Sequence, residues 1–568
     1  MLAFGMASLC LISGFILANH AAAALTTFKT ADFSGSGVCA FCHSRLTDKA
    51  GNDVSNDAQW RSTMMANAAK DPLWQAKISA EVALVAGMPG GPILEQVIQE
   101  KCSRCHMGMA RYQALTDGTP KDQIFVLEDN IGFLDPAHYL HEAAMDGVSC
   151  TLCHQIQPGN LGTADSFTGQ YAIDTTTVGS NRVLFGPYSN PVRNPMQRNT
   201  GFRPTDHAPD RQLADSAHCG SCHTLYTPAL DADGGYLREF PEQTTYLEWQ
   251  YSQFNKTCQD CHLPDAVGSV VISNRPRRLA ARSPFGQHHY VGGNSFMVNL
   301  LKTNAADLGV TADAAHLDAT ISRTLSQLQQ NSATVMATAS LSVMGDVLAV
   351  TVDVTNLAGH KFPSGLPSRR AWLHVKVRDI ENNLIFESGK PRADGSIEGN
   401  NADMNLATFE PHYDKITASD QVQIYEPVMG NNKGEVTYTL LRAFEYIKDN
   451  RLLPTGFDKN NADPDIGVYG AAADDADFTD GSDRIVYELD VSGATGELTV
   501  TVELMFQTLS YPFVEDLRKT QTGHVDRFMG LYDLEENVPV VIAATQVSLD
   551  NPAVGDSLKI ERLYTPVW

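Results

Sequence analysis

Ten of the eleven cysteines in this 568-residue chain fall into five short segments with a common spacing. In each segment, two cysteines are separated by two residues, and a histidine follows the second cysteine directly. The five segments are CAFCH (Cys39, Cys42, His43), CSRCH (Cys102, Cys105, His106), CTLCH (Cys150, Cys153, His154), CGSCH (Cys219, Cys222, His223) and CQDCH (Cys258, Cys261, His262). Two thiols three positions apart lie on one face of a helical turn. Each segment therefore predicts a compact site with two sulfur atoms and one imidazole.

This pattern is the attachment signature of c-type haem, in which both thiols form thioethers with the porphyrin and the histidine ligates the iron. Thioredoxin-like redox pairs and zinc knuckles also use two cysteines at this spacing, but neither requires a histidine at the next position. The complete signature in all five segments favours haem. We predict five covalent haems c, whose proximal iron ligands are His43, His106, His154, His223 and His262. Because the motifs use every cysteine beyond the N-terminal segment, no disulfide is expected.

A haem iron with two axial histidines needs a second histidine from elsewhere in the chain. The segment AHYLHEAAMDGVSCTLCH leads directly into the third motif and offers His138 and His141, of which we favour His141. His207 precedes the fourth motif in a segment interrupted by prolines, and we predict it as a ligand. His218 adjoins Cys219, where a haem ligand and a hydrogen-bonding residue are equally good interpretations.

Further candidates follow the last motif. His288 and His289 are adjacent in SPFGQHHYVGGNSF, and we expect one of the two to ligate iron, since the Gly-Gly pair permits close approach to a flat ring. His316 lies in a helical stretch and is a weaker candidate ligand. Met64 and Met65 near the first motif are alternative axial ligands, although a place in the core of a helix is the favoured interpretation.

His360 lies far downstream of the last motif, in NLAGHKFPSGLPSRRAWLHV. It is either a turn residue at the end of a strand or a metal ligand on a rigid loop. The best upstream candidates supply about three or four of the distal ligands that five irons need. Gly359 and the Pro363–Pro367 turn would let a rigid loop present the imidazole to a haem of the preceding region. We therefore predict that His360 is a distal ligand that joins the two halves of the chain.

From about residue 340, apolar and polar residues alternate with a period of two, as in DVLAVTVDVTN and ELTVTVELMFQTL. Gly, Asn and Asp separate these runs, which is typical of an antiparallel β-sandwich. In RAWLHVKVRDI, the alternation predicts His374 on a polar outer face. The segment QLQQNSATVMATAS before this region is interpreted as a linker.

The length predicts more than one domain. We expect an α+β multidomain protein in which a helix- and loop-rich multihaem cytochrome c domain precedes an antiparallel β-sandwich. The predicted parts are a signal peptide at 1–24, a pentahaem cytochrome c domain at 25–330, and an Ig-like β-sandwich at 335–568 that contributes a distal haem ligand.

One loop of the second half, YGAAADDADFTDGSD, is rich in carboxylates. Its acidic residues are Asp474, Asp475, Asp477, Asp480 and Asp483. Oxygen-rich loops bind calcium, but the spacing here does not match a standard calcium loop. A solvated acidic loop is the favoured interpretation, and a calcium site is the weaker alternative.

The N-terminal segment predicts export. An apolar run from about Leu9 to Leu17 is followed by small residues, as in secretory signal peptides, and it is short for a membrane span. We therefore expect a periplasmic, extracellular or cell-surface location and no transmembrane segment after cleavage. The 66 acidic and 42 basic side chains give a formal net charge of -24, which disfavours nucleic acid as a partner.

Several longer segments resemble a family of exported multihaem cytochromes c of respiratory and metal-reducing bacteria. These segments are STMMANAAKDPLWQA, DGVSCTLCH, FPEQTTYLEWQYSQFNKTCQDCHLP, HHYVGGN and GHKFPSGLPSRRAWLHV. They cover most of residues 39–375 and, more loosely, the predicted β-domain. The resemblance implies that the histidines at positions 288 and 360 are distal haem ligands.

The leading interpretation is electron transfer through five haems c, mostly with two axial histidines, in exported respiratory electron transport, the cell exterior included. Expected partners are other redox proteins, namely cytochromes, quinol-oxidising complexes or terminal reductases. Two alternatives stay open. One is a multihaem oxidoreductase that acts on small nitrogen or sulfur compounds at a haem with an open position. The other is a subunit of an extracellular haem filament, and the sequence is compatible with an oligomer. Arginines in the segments Asn274–Arg278 and Ser368–Arg370 are expected to pair with haem propionates.

Overall fold

The computed structural model describes residues 22–205, 212–549 and 558–561. The predicted signal peptide therefore lies almost entirely outside the described residues, and so does His207. Across the described ranges, no helix combines the length and the apolar character that a membrane crossing requires.

Short helices joined by turns dominate the first half, as the sequence predicts. The described residues form sixteen α-helices: α1 (Ser36–His43), α2 (Asn56–Trp60), α3 (Pro72–Val85), α4 (Gly91–His106), α5 (Gly108–Thr116), α6 (His141–Met145), α7 (Cys150–Cys153), α8 (Arg193–Thr200), α9 (Ser216–His223), α10 (Thr245–Tyr251), α11 (Cys258–His262), α12 (Ser295–Thr303), α13 (Ala314–Asn331), α14 (Asn401–Met404), α15 (Tyr511–Leu517) and α16 (Gly523–Tyr532).

Helices α3 and α13 begin at sequence signals that satisfy their first backbone N–H groups. Asp71 caps α3 by accepting from the backbone N–H of Leu73 at 2.9 Å, and Pro72 occupies the first helical position. Asp313 caps α13 in the same way, accepting from the N–H of His316 at 2.9 Å.

Strands dominate the second half. The described strands are β1 (Arg182–Phe185), β2 (Phe202–Thr205), β3 (Leu225–Leu230), β4 (Tyr236–Gln243), β5 (Ala333–Leu341), β6 (Val347–Asn356), β7 (Arg370–Arg378), β8 (Leu384–Ser388), β9 (Lys415–Ile416), β10 (Ile424–Tyr425), β11 (Pro427–Gly430), β12 (Glu445–Asp449), β13 (Ser482–Asp490), β14 (Leu498–Gln507), β15 (Val540–Leu549) and β16 (Leu558–Glu561).

Two larger sheets enclose one apolar core. One sheet has the strand order β5-β6-β13-β9, and the other has the order β10-β7-β14-β15-β16, with β8 paired to β7. Most neighbours are antiparallel, but β9 pairs with β13 in parallel. Alternate residues of β6 and β14, among them Val350, Val352, Val500 and Val502, are fully buried between the sheets. The structure is thus mixed α+β with largely antiparallel sheets, as predicted, while the limits of the predicted domains stay predictions.

One local prediction is wrong, and another holds only in part. The segment interpreted as a linker continues α13 to Asn331 and then forms β5 from Ala333. The outer face of β7 is polar at His374, as predicted, since this side chain lies 3.0 Å from both Glu387 and Glu503. His374 is nevertheless buried, and on the same face the apolar side chains of Ile397, Val422, Ile424 and Met505 cover Trp372.

A helical layer joins the two halves. Helices α15 and α16, although they lie within the predicted β-domain, pack with α3, α12 and α13 of the first half. Phe513 and Phe528 bury their rings in the same cluster as Leu73, Met297 and Leu317. This shared core fixes α15 and α16 against helices of the first half.

Candidate functional site

Each of the five motifs lies on a helix that ends at the motif histidine or one residue before it. The helices are α1, α4, α7, α9 and α11. In this geometry the two thiols of a motif are one turn apart and the histidine follows at the helix end. The helical turn that the spacing predicts is therefore present in all five motifs.

The fold brings the motifs next to one another. Thiols that lie against each other across motifs are Cys39 with Cys150, Cys105 with Cys222, and Cys219 with Cys258. In each pair, the second thiol and then burial raise the pKa of the first well above its usual value. The third motif therefore adjoins the first, and the fourth adjoins both the second and the fifth. None of the ten motif cysteines, all of them described, forms a disulfide.

Four motif histidines are held by the same kind of hydrogen bond. Their Nδ1 atoms lie close to backbone carbonyl oxygens: His43 to Ile272 at 2.8 Å, His106 to Ala68 at 3.0 Å, His154 to Phe185 at 2.7 Å and His262 to Val291 at 2.6 Å. A carbonyl oxygen only accepts, so each Nδ1 carries the proton and each Nε2 keeps its lone pair. Metal-binding histidines show this arrangement, and the motif residues therefore fit an iron-bound haem.

The motif histidines are also held neutral, which is the protonation state that a metal requires. Burial lowers the pKa of His106 to about 4. Its ring stacks on Trp74, with ring centroids 4.4 Å apart. Burial, followed by the nearby His262, lowers the pKa of His223 to about 4. Trp74 was not among the predicted site residues. It lies in KDPLWQA, part of a segment that resembles the multihaem cytochrome family, and this resemblance could have identified it.

Hydrogen bonding distinguishes the two histidines before the third motif. His141, the first residue of α6, donates from Nδ1 to the carbonyl oxygen of Phe133 at 3.0 Å. His138 has the opposite tautomer, because its Nδ1 accepts from the backbone N–H of Leu140 at 3.1 Å. Only His141 thus offers a free lone pair at Nε2, which supports it as the distal ligand.

The adjacent histidines 288 and 289 have different surroundings. Burial, followed by His154 and His43, lowers the pKa of His288 to about 3. Burial, followed by the guanidinium of Arg323, lowers the pKa of His289 to about 4. His288 therefore lies beside the first and third motifs, whereas His289 faces a cation on α13.

The remaining candidate ligands also differ in their surroundings. His218 on α9 lies near His154; burial and then this neighbour lower the pKa of His218 to about 4. Its Nδ1 is buried and has no hydrogen-bond partner among the described residues. His316, in the first turn of α13, lies 3.0 Å from Asp313, and its side chain is 30% exposed. Met64 packs against the helical layer, in line with a structural role.

His360 lies near the fourth and fifth motifs, at the contact between the two halves. Burial is the main cause that lowers the pKa values of His223 and His262, and the nearby imidazole of His360 has a smaller effect in the same direction on both. The Nδ1 of His360 lies 2.9 Å from the carbonyl oxygen of Lys361. Asn356 donates to the carbonyl oxygen of His360 at 2.9 Å. The structure therefore brings this distant histidine to the motifs.

A buried ion network holds the backbone beside His360. The N–H of Lys361 donates to Glu248 of α10 at 3.1 Å, and its Nζ donates to Asp449 at 2.7 Å. Arg451 completes the network, with an Nη2 atom 2.9 Å from Glu248 and 2.8 Å from Asp449. All four charged residues are buried. The network links α10, which precedes the fifth motif, to the β-region.

Gly359 provides a test of this contact, because the ring of Phe254 packs directly against it. A Cβ atom at position 359 would lie 2.4 Å from Cδ1 of Phe254. We expect Gly359→Ala to lower the free energy of unfolding by about 1–3 kcal/mol, measured by denaturant titration. Gly523→Ala is the control, since a Cβ there meets nothing within 4 Å. Equal losses in the two variants would contradict the predicted steric clash.

The two arginines after the turn have different roles. Arg370 is fully buried and bonded to Asp403, Gln507 and the carbonyl oxygen of Gly395, each at 2.8 Å. The expectation that Arg370 pairs with a propionate is therefore wrong, since all three of its guanidinium nitrogens already donate to protein oxygens at a fully buried site. Arg369 donates to the carbonyl oxygen of Ser364 at 2.5 Å, and burial lowers its pKa to about 10. Arg369 remains the cation suited to a propionate in this segment.

Glu242 on β4 is a buried carboxyl group beside the second motif. Burial raises its pKa to about 7, and Thr227 donates to its Oε2 at 2.9 Å. Burial and then Glu242 raise the pKa of Cys102 to about 12. No sequence pattern distinguished this glutamate from exposed ones on the same strand.

We expect Glu242 to make folding less favourable as the pH rises. Its folded-state pKa of about 7 exceeds the ordinary value of 4.5, so the folded protein retains a proton that the unfolded chain has lost. Its stabilising contribution is complete below about pH 4 and decreases by about 3 kcal/mol by pH 7. Glu242→Gln should remove this slope from unfolding free energies measured between pH 4.5 and 7.5. Glu239→Gln, on the exposed part of β4, should retain it.

Among solved structures, the penta-heme cytochrome c552 from Thermochromatium tepidum is similar to this chain. The similarity has a TM-score of 0.47 and 15% sequence identity, and it covers 86% of this chain and 95% of that chain. No protein-family model matches the chain, and no curated protein does. Because a TM-score of this size does not establish a common fold, the functional assignment rests on the motifs and their geometry.

Proposed function

We propose that this chain is an electron-transfer protein that carries five covalently attached haems c, most of them with two axial histidines. The observation that carries the proposal is the shared state of the motif histidines. Four of them donate from Nδ1 to backbone carbonyls and keep the Nε2 lone pair that iron needs. Contacts between thiols of different motifs support two groups of adjoining sites, one of the first and third motifs and one of the second, fourth and fifth.

The protein residues have separate tasks in this proposal. The motif thiols attach the cofactors, and the motif histidines supply the first axial ligand. His141, His288 and His360 are proposed as second ligands on the tautomers and neighbours described above. His316 and His207 are weaker proposals, and His218 joins them because it is embedded beside His154. When bound, the haems supply one-electron chemistry, while burial and axial ligands set their potentials.

We further propose export to the periplasm or the cell surface, because haem c is attached outside the cytoplasm and because the N-terminal segment predicts a signal peptide. The partners would be other redox proteins, such as cytochromes, quinol-oxidising complexes or terminal reductases. Nucleic acid is an unsuitable partner for a chain with a formal net charge of -24.

The number of cofactors tests the proposal directly. The chain, produced in a host that attaches haem c, should contain five haems by alkaline pyridine spectroscopy and by intact mass. A Cys102→Ala/Cys105→Ala variant should lose one of the five, because the second motif then has no thiols. Bound zinc in place of haem, or a full set of haems in this variant, would refute the assignment.

Ligand binding separates electron transfer from the two alternatives. Electron transfer predicts that all haems of the monomer are low-spin in EPR spectra and do not bind carbon monoxide. A high-spin haem that binds carbon monoxide in the monomer would favour an oxidoreductase. A high-spin haem that becomes low-spin only on assembly would favour a filament subunit.

A further inference from the structure

A second cluster of ionisable side chains lies at the edge of the four-stranded sheet, where β9 pairs with β13. His412, Asp475 and Asp483 are buried there, and their ligand atoms lie within 4.8 Å of one another. Asp414 and Asp477 are exposed at the rim of the same cluster. The cluster thus has a buried floor of two carboxylates and an acidic rim open to solvent.

One carboxylate oxygen in the buried part of this cluster has no hydrogen-bond partner among the described residues. Asp483 is 1% exposed, and its Oδ1 has no hydrogen-bond partner among the described residues. Its other oxygen, Oδ2, accepts from Tyr425 at 2.7 Å and from Gln423 at 3.2 Å. A buried carboxylate oxygen without a partner is costly, so its persistence indicates a ligand at this position.

The hydrogen bonds around His412 fix its tautomer. Nδ1 accepts from the side-chain amide nitrogens of Gln423 at 2.8 Å and Asn450 at 3.1 Å. Neither amide can be reversed, because their oxygens accept from the backbone N–H groups of Tyr413 and Glu426. Nδ1 therefore has no proton.

The proton of His412 accordingly lies on Nε2, which donates to Asp475 Oδ2 at 3.0 Å. Such an imidazole has no lone pair left for a metal, so a nitrogen ligand of the kind zinc prefers is missing. The ammonium of Lys459 donates to the backbone carbonyls of Ala472 and Asp475 and not to a carboxylate of the cluster. Oxygen atoms are thus the available ligands.

The carboxylates of Asp475 and Asp483 lie within 4.8 Å of each other. A cation bound between them would relieve the repulsion between two such close negative charges. Carboxylates in an irregular cluster suit calcium, which takes oxygen ligands in flexible geometry, better than magnesium, which demands a near-ideal octahedron.

We propose that Asp414, Asp475, Asp477 and Asp483 bind a calcium ion and that His412 orients Asp475 as a hydrogen-bond donor without ligating the ion. The favoured sequence interpretation, a solvated acidic loop, holds for Asp474 and Asp480 but not for the buried Asp475 and Asp483. Asp480 accepts from the backbone N–H of Gly456 at 2.6 Å and stabilises a turn instead.

Calorimetry on the metal-depleted holoprotein tests this site. Separate titrations with calcium, magnesium and zinc chlorides should show one calcium per chain, at least tenfold tighter than magnesium, together with a higher thermal midpoint. Asp483→Asn and the rim variant Asp477→Asn should each weaken calcium binding at least tenfold. The control Asp480→Asn should bind calcium as the parent does.

His412→Gln distinguishes a donor from a ligand. It should retain calcium binding with a loss smaller than that of Asp483→Asn. Absence of calcium binding in the parent, or zinc binding that this variant abolishes, would overturn the proposal. Folding of each variant is verified by its haem absorption spectrum. Since the haem count is measured separately, failure at this site would leave the electron-transfer proposal untouched.

Discussion

Replacing His360 by alanine is expected to convert one low-spin haem of the holoprotein into a high-spin haem that binds carbon monoxide. The reason is that His360 lies beside His223 and His262 and leaves its Nε2 free, because its Nδ1 faces the Lys361 carbonyl. EPR and optical spectra of the oxidised and reduced protein measure the change. The other four haems should remain low-spin.

Two further variants make this expectation specific. His360→Met should keep the haem low-spin and raise its reduction potential, since a thioether replaces the imidazole. His524→Ala removes a histidine that is only partly buried on α16 and should leave the spectra unchanged. If the spectrum of His360→Ala were unchanged, His360 would be a turn residue at the end of a strand and not a haem ligand.

Asp449→Asn is expected to lower the free energy of unfolding by about 3–5 kcal/mol, the range for breaking a buried ion pair. The substitution leaves the ammonium of Lys361 and the guanidinium of Arg451 without their shared counter-ion at a buried site. Because Lys361 adjoins His360, the loop should also shift, and the haem spectrum should broaden. Chemical denaturation measures the first effect and EPR the second.

The loss of folding stability at acid pH provides a second test of the same network. Burial alone would raise the pKa of Asp449, but Arg451 and Lys361 hold it at about 2. Its folded-state pKa thus lies below the ordinary value of 3.8, so its contribution is present above about pH 4 and is lost as the pH falls towards 2. Asp449→Asn should remove that part of the acid-induced loss.

A matched control comes from a surface pair. Arg518 and Asp533 lie 2.8 Å apart with partly exposed side chains, so Asp533→Asn should cost less than about 1 kcal/mol. In the double variant Lys361→Met/Asp449→Asn, one unpaired charge is gone, and part of the lost stability should return. Similar losses for Asp449→Asn and Asp533→Asn would show that the buried network contributes no more than a surface pair.

Patterns that lie within a few residues of one another were readable from the sequence. The five motifs predicted thiols on one helical turn with a histidine at the end, and helices α1, α4, α7, α9 and α11 have this form. The period-two alternation likewise predicted strands such as β6 and β14. Both patterns succeed because local backbone geometry alone decides them.

Properties that depend on distant neighbours were not readable. Trp372 and His374 alternate like residues of an exposed face, yet a separate segment covers Trp372, and His374 is buried between Glu387 and Glu503. Asp475 and Asp483 look like their loop neighbours Asp474 and Asp480, but only the first two are turned into the protein. Arg369 and Arg370 are adjacent, and only the partners of Arg370 reveal its structural role.

The sequence by itself determined the five motifs and predicted a haem and a first axial histidine at each, because attachment needs only residues of one helical turn. The tertiary structure decided which residues from distant parts of the chain lie beside those motifs. The bond between the N–H of Lys361 and Glu248 spans 113 residues of chain, and no local pattern encodes such a contact. Folding alone brings the His360 loop to the motifs, since buried charges must meet their partners and the packed ring of Phe254 leaves room only for glycine at position 359.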